Sequence, residues 1–304
     1  MKLVFLGTGG SWPSKDRNVT SIALQHNGEV ILMDCGEGTQ RQLMRSSISF
    51  MQIEKILITH LHGDHFLGLP GLVQSMGLNN RERPLEILCP KGAKEILNIF
   101  LSVGYFTRDF EINIREVSDG ECIDFEKYLI KAVSSDHLVP TLAYRFEEPP
   151  RKGMFDLEKA KRLGIPPGKL YSRLQNGETI EYKGTKITPE MVIGPKRKGR
   201  SIVYSGDTRP CERIVELAKE CNVLIHEGLV DDNLREKANE YGHSTITQAA
   251  EVAYRANVGK LFIVHISPRY KLEDNPSLEE KARKVFPNTI VATDLMEYEV
   301  KYKE

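Results

Sequence analysis

The segment His60-Leu61-His62-Gly63-Asp64-His65 constrains this chain more than any other. It follows the apolar run Ile56 to Thr59, which reads as a β-strand, so the polar cluster stands on a strand-end loop. Three imidazoles and a carboxylate would crowd one another there unless they share a ligand, and a metal ion is the ligand that such donors share. His60 and His62, two apart, point the same way from an extended segment. Asp64 and His65 turn toward a second point nearby, so the spacing suits two adjacent metals better than one. His26 has no such company and reads as an ordinary core histidine.

Four clustered donors cannot fill two coordination spheres, so further ligands should stand at other strand ends. His137 follows the run Tyr128 to Ser134, Asp207 follows Ser201 to Tyr204, and His265 follows Leu261 to Val264. Each holds the same place relative to its strand, as a site on one rim of a sheet requires. Asp207 carries the carboxylate placed to bridge both ions. Other strand-like runs are Lys2 to Leu6, Val30 to Met33, Leu85 to Cys89, Val223 to Ile225 and Thr289 to Ala292. Helical patterns run from Gly36 to Met44, Ala93 to Leu101, Glu212 to Lys219, Thr247 to Tyr254 and Leu278 to Val285. Their alternation predicts a layered α/β architecture.

At 304 residues, 40% of them hydrophobic, the chain can bury a sizeable core. No apolar stretch approaches the ~20 residues of a membrane span, and the N-terminus lacks a basic region followed by an apolar one. The expectation is a cytosolic protein with no membrane partner. The five cysteines include no CxxC pair and read as free thiols. Basic and acidic residues balance at 42 each, yet thirteen basic residues face five acidic ones between Pro149 and Arg200. It overlaps a Pro- and Gly-rich segment, Glu147 to Lys198, that interrupts the alternation and looks inserted. It reads either as a solvated excursion or as a basic arm for a polyanion.

Two adjacent metals clamp the attacking and leaving oxygens of an in-line displacement, a geometry that fits a phosphodiester. His226-Glu227 closes one strand-like run, and Gly242-His243-Ser244-Thr245 opens a helix. Free amides at a helix start favour phosphate, although Ser244 or Thr245 can equally serve as a plain N-cap. Trp12, the sole tryptophan, either stacks on a base or packs in the ordinary way.

His60, His62, Asp64 and His65, followed by His137, Asp207 and His265 in that order, resemble the metallo-β-lactamase superfamily over nearly the whole chain. The resemblance implies a single domain, 1–304, of αββα sandwich type with two zinc ions at one edge. His60, His62, His137 and Asp207 would hold one zinc, and Asp64, His65, Asp207 and His265 the other. Pro13-Ser14-Lys15-Asp16-Arg17-Asn18 is similar to the PxKxRN loop of the ribonuclease Z family, and His243-Ser244-Thr245 to its HST loop. Gly164-Ile165-Pro166-Pro167-Gly168 resembles that family's Gly/Pro-rich flexible arm, here inserted at about 149–198.

That second resemblance implies a homodimeric endoribonuclease that removes the 3′ trailer of precursor tRNA and leaves a 3′-hydroxyl. Asp64 would act as general base. His243, positioned by Glu227, would stabilise developing charge or protonate the leaving oxygen. Lys15, Arg17 and Asn18 would meet the acceptor end, with Ser244 and Thr245 also on the substrate, while Gly164, Pro166 and Gly168 belong to the arm that grips the tRNA. Lys169 stands where the family arm often has a second Gly-Pro pair, and Gly228-Leu229 where Ala-Thr is common. The closest rival is a small-molecule phosphodiesterase on the same scaffold, against which the basic insertion and the Lys15 loop both argue.

Overall fold

The computed structural model describes residues 1–106 and 108–302. Six strands form most of a first sheet: β1 (Lys2–Gly7), β2 (Ser21–His26), β3 (Glu29–Met33), β4 (Ile53–Leu57), β5 (Leu85–Pro90) and β6 (Ile112–Val117). A second sheet takes β7 (Cys122–Asp124), β8 (Leu129–Ser134) and β9 (Leu142–Glu147), with a hairpin of β10 (Ile180–Tyr182) and β11 (Thr185–Ile187) set apart. It continues through β12 (Ser201–Tyr204), β13 (Val223–Glu227), β14 (Lys260–Val264) and β15 (Thr289–Val291), and β16 (Glu297–Glu299) returns to the edge of the first. Both large sheets are seven-stranded, in the orders β16-β1-β2-β3-β4-β5-β6 and β15-β14-β13-β12-β9-β8-β7.

Runs such as β1, β3 and β14 were readable because these strands are buried on both faces. In β1, Leu3 and Phe5 point into the core between the sheets, and Val4 and Leu6 point to the outer helices. On the first sheet lie α1 (Thr39–Arg45), α3 (Leu69–Leu78) and α4 (Lys94–Leu101), preceded by the single turn α2 (Gly63–Phe66). Residues 148–199, described below, hold α5 (Leu157–Arg162) and α6 (Lys169–Gln175). On the second sheet lie α7 (Glu212–Ala218), α9 (Ile246–Arg255) and α10 (Asn275–Arg283), with α8 (Arg235–Glu240) between them in sequence. The order of layers is helix, sheet, sheet, helix.

Strands β3, β4 and β5 run parallel in one sheet, as do β12, β13 and β14 in the other. β8 is antiparallel to β9, which is antiparallel to β12, so β8 runs with β12. The carboxyl ends of these strands share one rim, where ligands of α/β sheets gather.

Residues Glu148–Gly199 form a compact unit of their own. Ala160, Ile165, Leu174, Ile180, Ile187 and Val192 make its small core, and the Asp156 side chain caps α5. Ile165, in the middle of the Gly/Pro-rich stretch, is buried there while Pro166 and Gly168 are exposed. Lys152, Arg162, Lys169, Lys183, Lys186 and Lys196 are all exposed.

Candidate metal centre and active site

The chain leaves β4 extended and then winds into α2, and this change of period separates the donors of the His60 cluster. His62 stands at the N-cap of α2, so His60 and His62 project from extended backbone while Asp64 and His65 project from the turn. The other donors arrive from the second sheet: His137 beyond β8, Asp207 beyond β12 and His265 beyond β14. Ligand atoms of His60, His62, His137 and Asp207 lie within 4.8 Å of one another, as do those of Asp64, His65 and His265.

Asp207 Oδ2 is the common point. It lies 3.6 Å from His60 Nε2, 3.4 Å from His65 Nε2 and 3.3 Å from His265 Nε2. Within the first group His62 Nδ1 is 3.0 Å from His60 Nε2 and 3.3 Å from His137 Nε2. In the second, Asp64 Oδ2 is 3.2 Å from His265 Nε2 and 3.5 Å from His65 Nε2. Ligands about 2.0–2.2 Å from a tetrahedral ion stand roughly 3.3–3.6 Å apart; five of these seven separations fall in that range, and the 3.0 and 3.2 Å pairs are slightly tighter.

The outer nitrogens fix the tautomers. His65 Nδ1 donates to Asp34 Oδ2 at 2.7 Å, and His137 Nδ1 donates to the Gly242 carbonyl at 2.7 Å. The Thr59 hydroxyl donates to Asp34 Oδ2 at 2.8 Å, which leaves its oxygen to accept from His60 Nδ1 at 3.0 Å. In all three rings Nδ1 is engaged on the outer side and Nε2 faces the centre. His65 Nε2 is buried without a hydrogen-bond partner, as a nitrogen reserved for a metal would be.

Burial, reinforced by neighbouring imidazoles, pulls the His60, His62 and His137 pKa values down and favours the neutral ligand form. Burial works against ionisation of Asp64 and Asp207 too, but the surrounding histidines outweigh it and hold both carboxyls well below the usual range. Asp64 Oδ2 also accepts the Ser11 backbone N–H at 2.7 Å.

Two glycines are required by close approach. A Cβ on Gly10 would lie 2.6 Å from the His265 ring. Gly242 has φ +84, and a Cβ there would lie 2.6 Å from His137 Nδ1.

Beside this centre Glu227 Oε1 accepts the Thr208 N–H at 2.7 Å and His243 Nδ1 at 3.0 Å. Burial lowers the His243 pKa, but Glu227 and Asp207 outweigh it and push it up to about 9. The ring lies 3.8 Å from Asp207 Oδ2 and keeps a proton at neutral pH.

Residues 1–144 match a family model described as Anti-Pycsar protein Apyc1, and residues 183–266 match one described as Beta-lactamase superfamily domain. Over 303 residues the chain is 45% identical to ribonuclease Z of Methanosarcina acetivorans, covering 100% of this chain and 99% of that one. It is 47% identical over 304 residues to ribonuclease Z of Archaeoglobus fulgidus, again covering 100% and 99%. The chain belongs to the ribonuclease Z family. The human tRNase Z, short form, shares 27% identity and superposes with a TM-score of 0.72 over 99% of this chain and 100% of that one. The two facing sheets and their outer helices are thus the metallo-β-lactamase fold of a nuclease family, and its donor cluster makes the enzyme metal-dependent.

In this ribonuclease Z family member, three of the residues expected from the sequence at the substrate, Arg17, Ser244 and Thr245, are buried and make internal hydrogen bonds. Arg17, expected at the acceptor end, is only 2% exposed: its guanidinium donates to the Thr8 hydroxyl, to the Ala292 carbonyl at 2.7 Å and to Asn275 Oδ1 at 2.6 Å. It braces the loop from beneath. The Ser244 hydroxyl donates to the Thr208 carbonyl at 2.7 Å. The Thr245 side chain caps α9 in a capping box with Gln248 and also donates to Asp232. Both side chains are buried and hold the local structure together.

Lys15 is exposed, and Asn18, half-buried, gives its N–H to Asp294 at 2.7 Å. Both line a cavity of about 670 Å³ whose far wall is α1, with Arg41 and Arg45. Trp12 is 62% exposed and does not pack. His26 is a core residue against Tyr128 and Phe146. Sequence reasoning missed Asp34, Ser11 and Tyr204, whose hydroxyl donates to Asp34 Oδ2 at 2.7 Å. Among the described residues no helix is long and apolar enough to cross a membrane.

Proposed function

We propose that this chain is a two-zinc endoribonuclease that removes the 3′ trailer from precursor tRNA and leaves a 3′-hydroxyl on the tRNA. The observation that carries the reading is the convergence of six His and Asp donors around a seventh, Asp207, in a member of the ribonuclease Z family. One zinc is assigned to His60, His62, His137 and Asp207, the other to Asp64, His65, Asp207 and His265. Zinc in these positions supplies Lewis acidity toward phosphate oxygens and makes water acidic enough to attack at neutral pH.

The protein's own groups divide the remaining work. Asp64, fixed by the Ser11 N–H, orients the attacking water and takes its proton. His243 carries a proton on Nε2 toward the leaving 3′ oxygen, because Nδ1 is engaged by Glu227. Glu227 is a positioning residue, itself anchored by the Thr208 amide. Lys15 and Asn18 meet the acceptor end, with charge-assisted bonds from Lys15 to phosphate. The exposed cations of residues 148–199, with Gly164, Pro166 and Gly168 in their midst, grip the tRNA body. A homodimer whose arms each serve the other subunit, working in the cytoplasm, completes the reading. Full-length similarity to ribonuclease Z does not favour the small-molecule phosphodiesterase.

The test is cleavage of a labelled precursor tRNA bearing a 3′ trailer, by protein of measured metal content, beside Asp64→Ala. Cutting next to the last nucleotide of the mature tRNA, reduced roughly 10²- to 10⁴-fold in the variant, is expected. An intact precursor, with a small phosphodiester still hydrolysed, would defeat the tRNA assignment and leave the hydrolase.

A further inference from the structure

Beside the metal centre a cavity of about 400 Å³ opens between Ser11, the segment that follows β13, and α8. Leu229, Val230 and Ala238 give it an apolar floor. Tyr241 stands at the rim with its surface 53% exposed, and Lys237 and Arg269, both exposed, bring positive charge to the same rim. No carboxylate lines the cavity, which argues against a cationic occupant. His243 forms one wall.

An apolar floor with an exposed aromatic ring suits a flat heteroaromatic group, since every base offers a π-face for stacking. Cations at the rim suit the phosphates on either side of such a group. The neighbouring His243 decides which nucleotide is meant. A residue that protonates the leaving 3′ oxygen must stand against the nucleotide that owns this oxygen, the last one of the mature tRNA. The first trailer nucleotide lies across the scissile phosphate.

We propose that this cavity receives the base immediately 5′ of the scissile bond, with Tyr241 stacking on it and Lys237 and Arg269 holding the adjoining phosphates. The proposal rests on the precursor-tRNA reading above. It assigns the cavity a positioning role: the base, once seated, aligns its own 3′ oxygen with His243. Because stacking tolerates all bases, the site discriminates a base from no base more sharply than one base from another.

Three precursors test it: intact, abasic at the nucleotide 5′ of the cut, and abasic at the first trailer nucleotide. Wild-type protein is expected to lose roughly 5- to 100-fold in kcat/KM on the 5′-abasic precursor, the range of one base–aromatic stack, and far less on the trailer-abasic one. Tyr241→Ala should show the same loss on the intact precursor and no further loss on the 5′-abasic one, whereas Tyr241→Phe should keep wild-type rates. Equal metal content and melting temperature confirm that both variants are folded. Losses from Tyr241→Ala and from the 5′-abasic site that multiply independently, or a greater sensitivity to the trailer base, would overturn the pocket while leaving the nuclease intact. Metal-loaded wild-type protein that fails to cut the intact precursor overturns the tRNA reading, and this proposal with it.

Discussion

Asp34 binds to no metal in the proposed scheme, yet it governs one ligand. Its Oδ1 accepts the Thr59 N–H at 2.7 Å, and its Oδ2 accepts the Thr59 hydroxyl, His65 Nδ1 and the Tyr204 hydroxyl. It does so from a positive φ of 56, a strained conformation at the centre of the site. Outer partners of this kind are worth about 10- to 100-fold in metal affinity. Asp34→Ala should therefore weaken zinc by that factor in a competitive chelator titration; an unchanged affinity would mean that packing alone orients His65. Arg17 and Lys15 separate along the same lines. Arg17→Met strands buried acceptors and should cost on the order of 2–5 kcal/mol of stability, read as a fall in melting temperature. Lys15→Ala should leave the melting temperature alone and reduce the salt slope of tRNA binding by about one. The His60 cluster was legible because its donors are neighbours in sequence. Asp34 was not, because its partners are 25, 31 and 170 residues away and nothing local marks it.

Gly242 ends α8 with a left-handed residue whose carbonyl accepts from His137 and whose missing side chain makes room for that ring. Gly242→Ala should displace His137, lowering metal content and cleavage together while the fold survives; full zinc occupancy would show that the loop yields instead. Thr245 serves α9 in the same structural spirit, and Thr245→Ala should cost about 1 kcal/mol through loss of its cap, with KM for tRNA unmoved. Among the strands, β1, β3, β5, β13 and β14 announced themselves as apolar runs, whereas β2, equally buried on both faces, was masked by Ser21, Gln25 and His26. β6 and β9 did not stand out either, since Ile112–Val117 carries Arg115 and Glu116 at exposed positions and Leu142–Glu147 carries Arg145. The helices α5 and α6 were hidden by the Pro, Gly and charge of their surroundings, because a core of six residues leaves little periodic trace.

At the scale of the whole chain the exposed cations of residues 148–199 sit on a unit with its own core. Replacing residues 149–198 by a short linker should raise KM for precursor tRNA severely while a small phosphodiester is still hydrolysed; loss of both activities together would place the segment in the chemistry. The metal centre has the opposite character, since it belongs to neither sheet. His60, His62, Asp64 and His65 follow β4, whereas His137, Asp207 and His265 follow strands of the other sheet, so each proposed coordination sphere takes donors from both. A metal ion bound there would be a rivet through the seam. Neither half alone offers a complete sphere, so the chain must dock its two sheets before it can hold an ion, and loading reports finished assembly. Once seated, a metal ion would resist separation of the sheets by an amount that grows with the logarithm of its free concentration, and a chelator should loosen the molecule first along this seam.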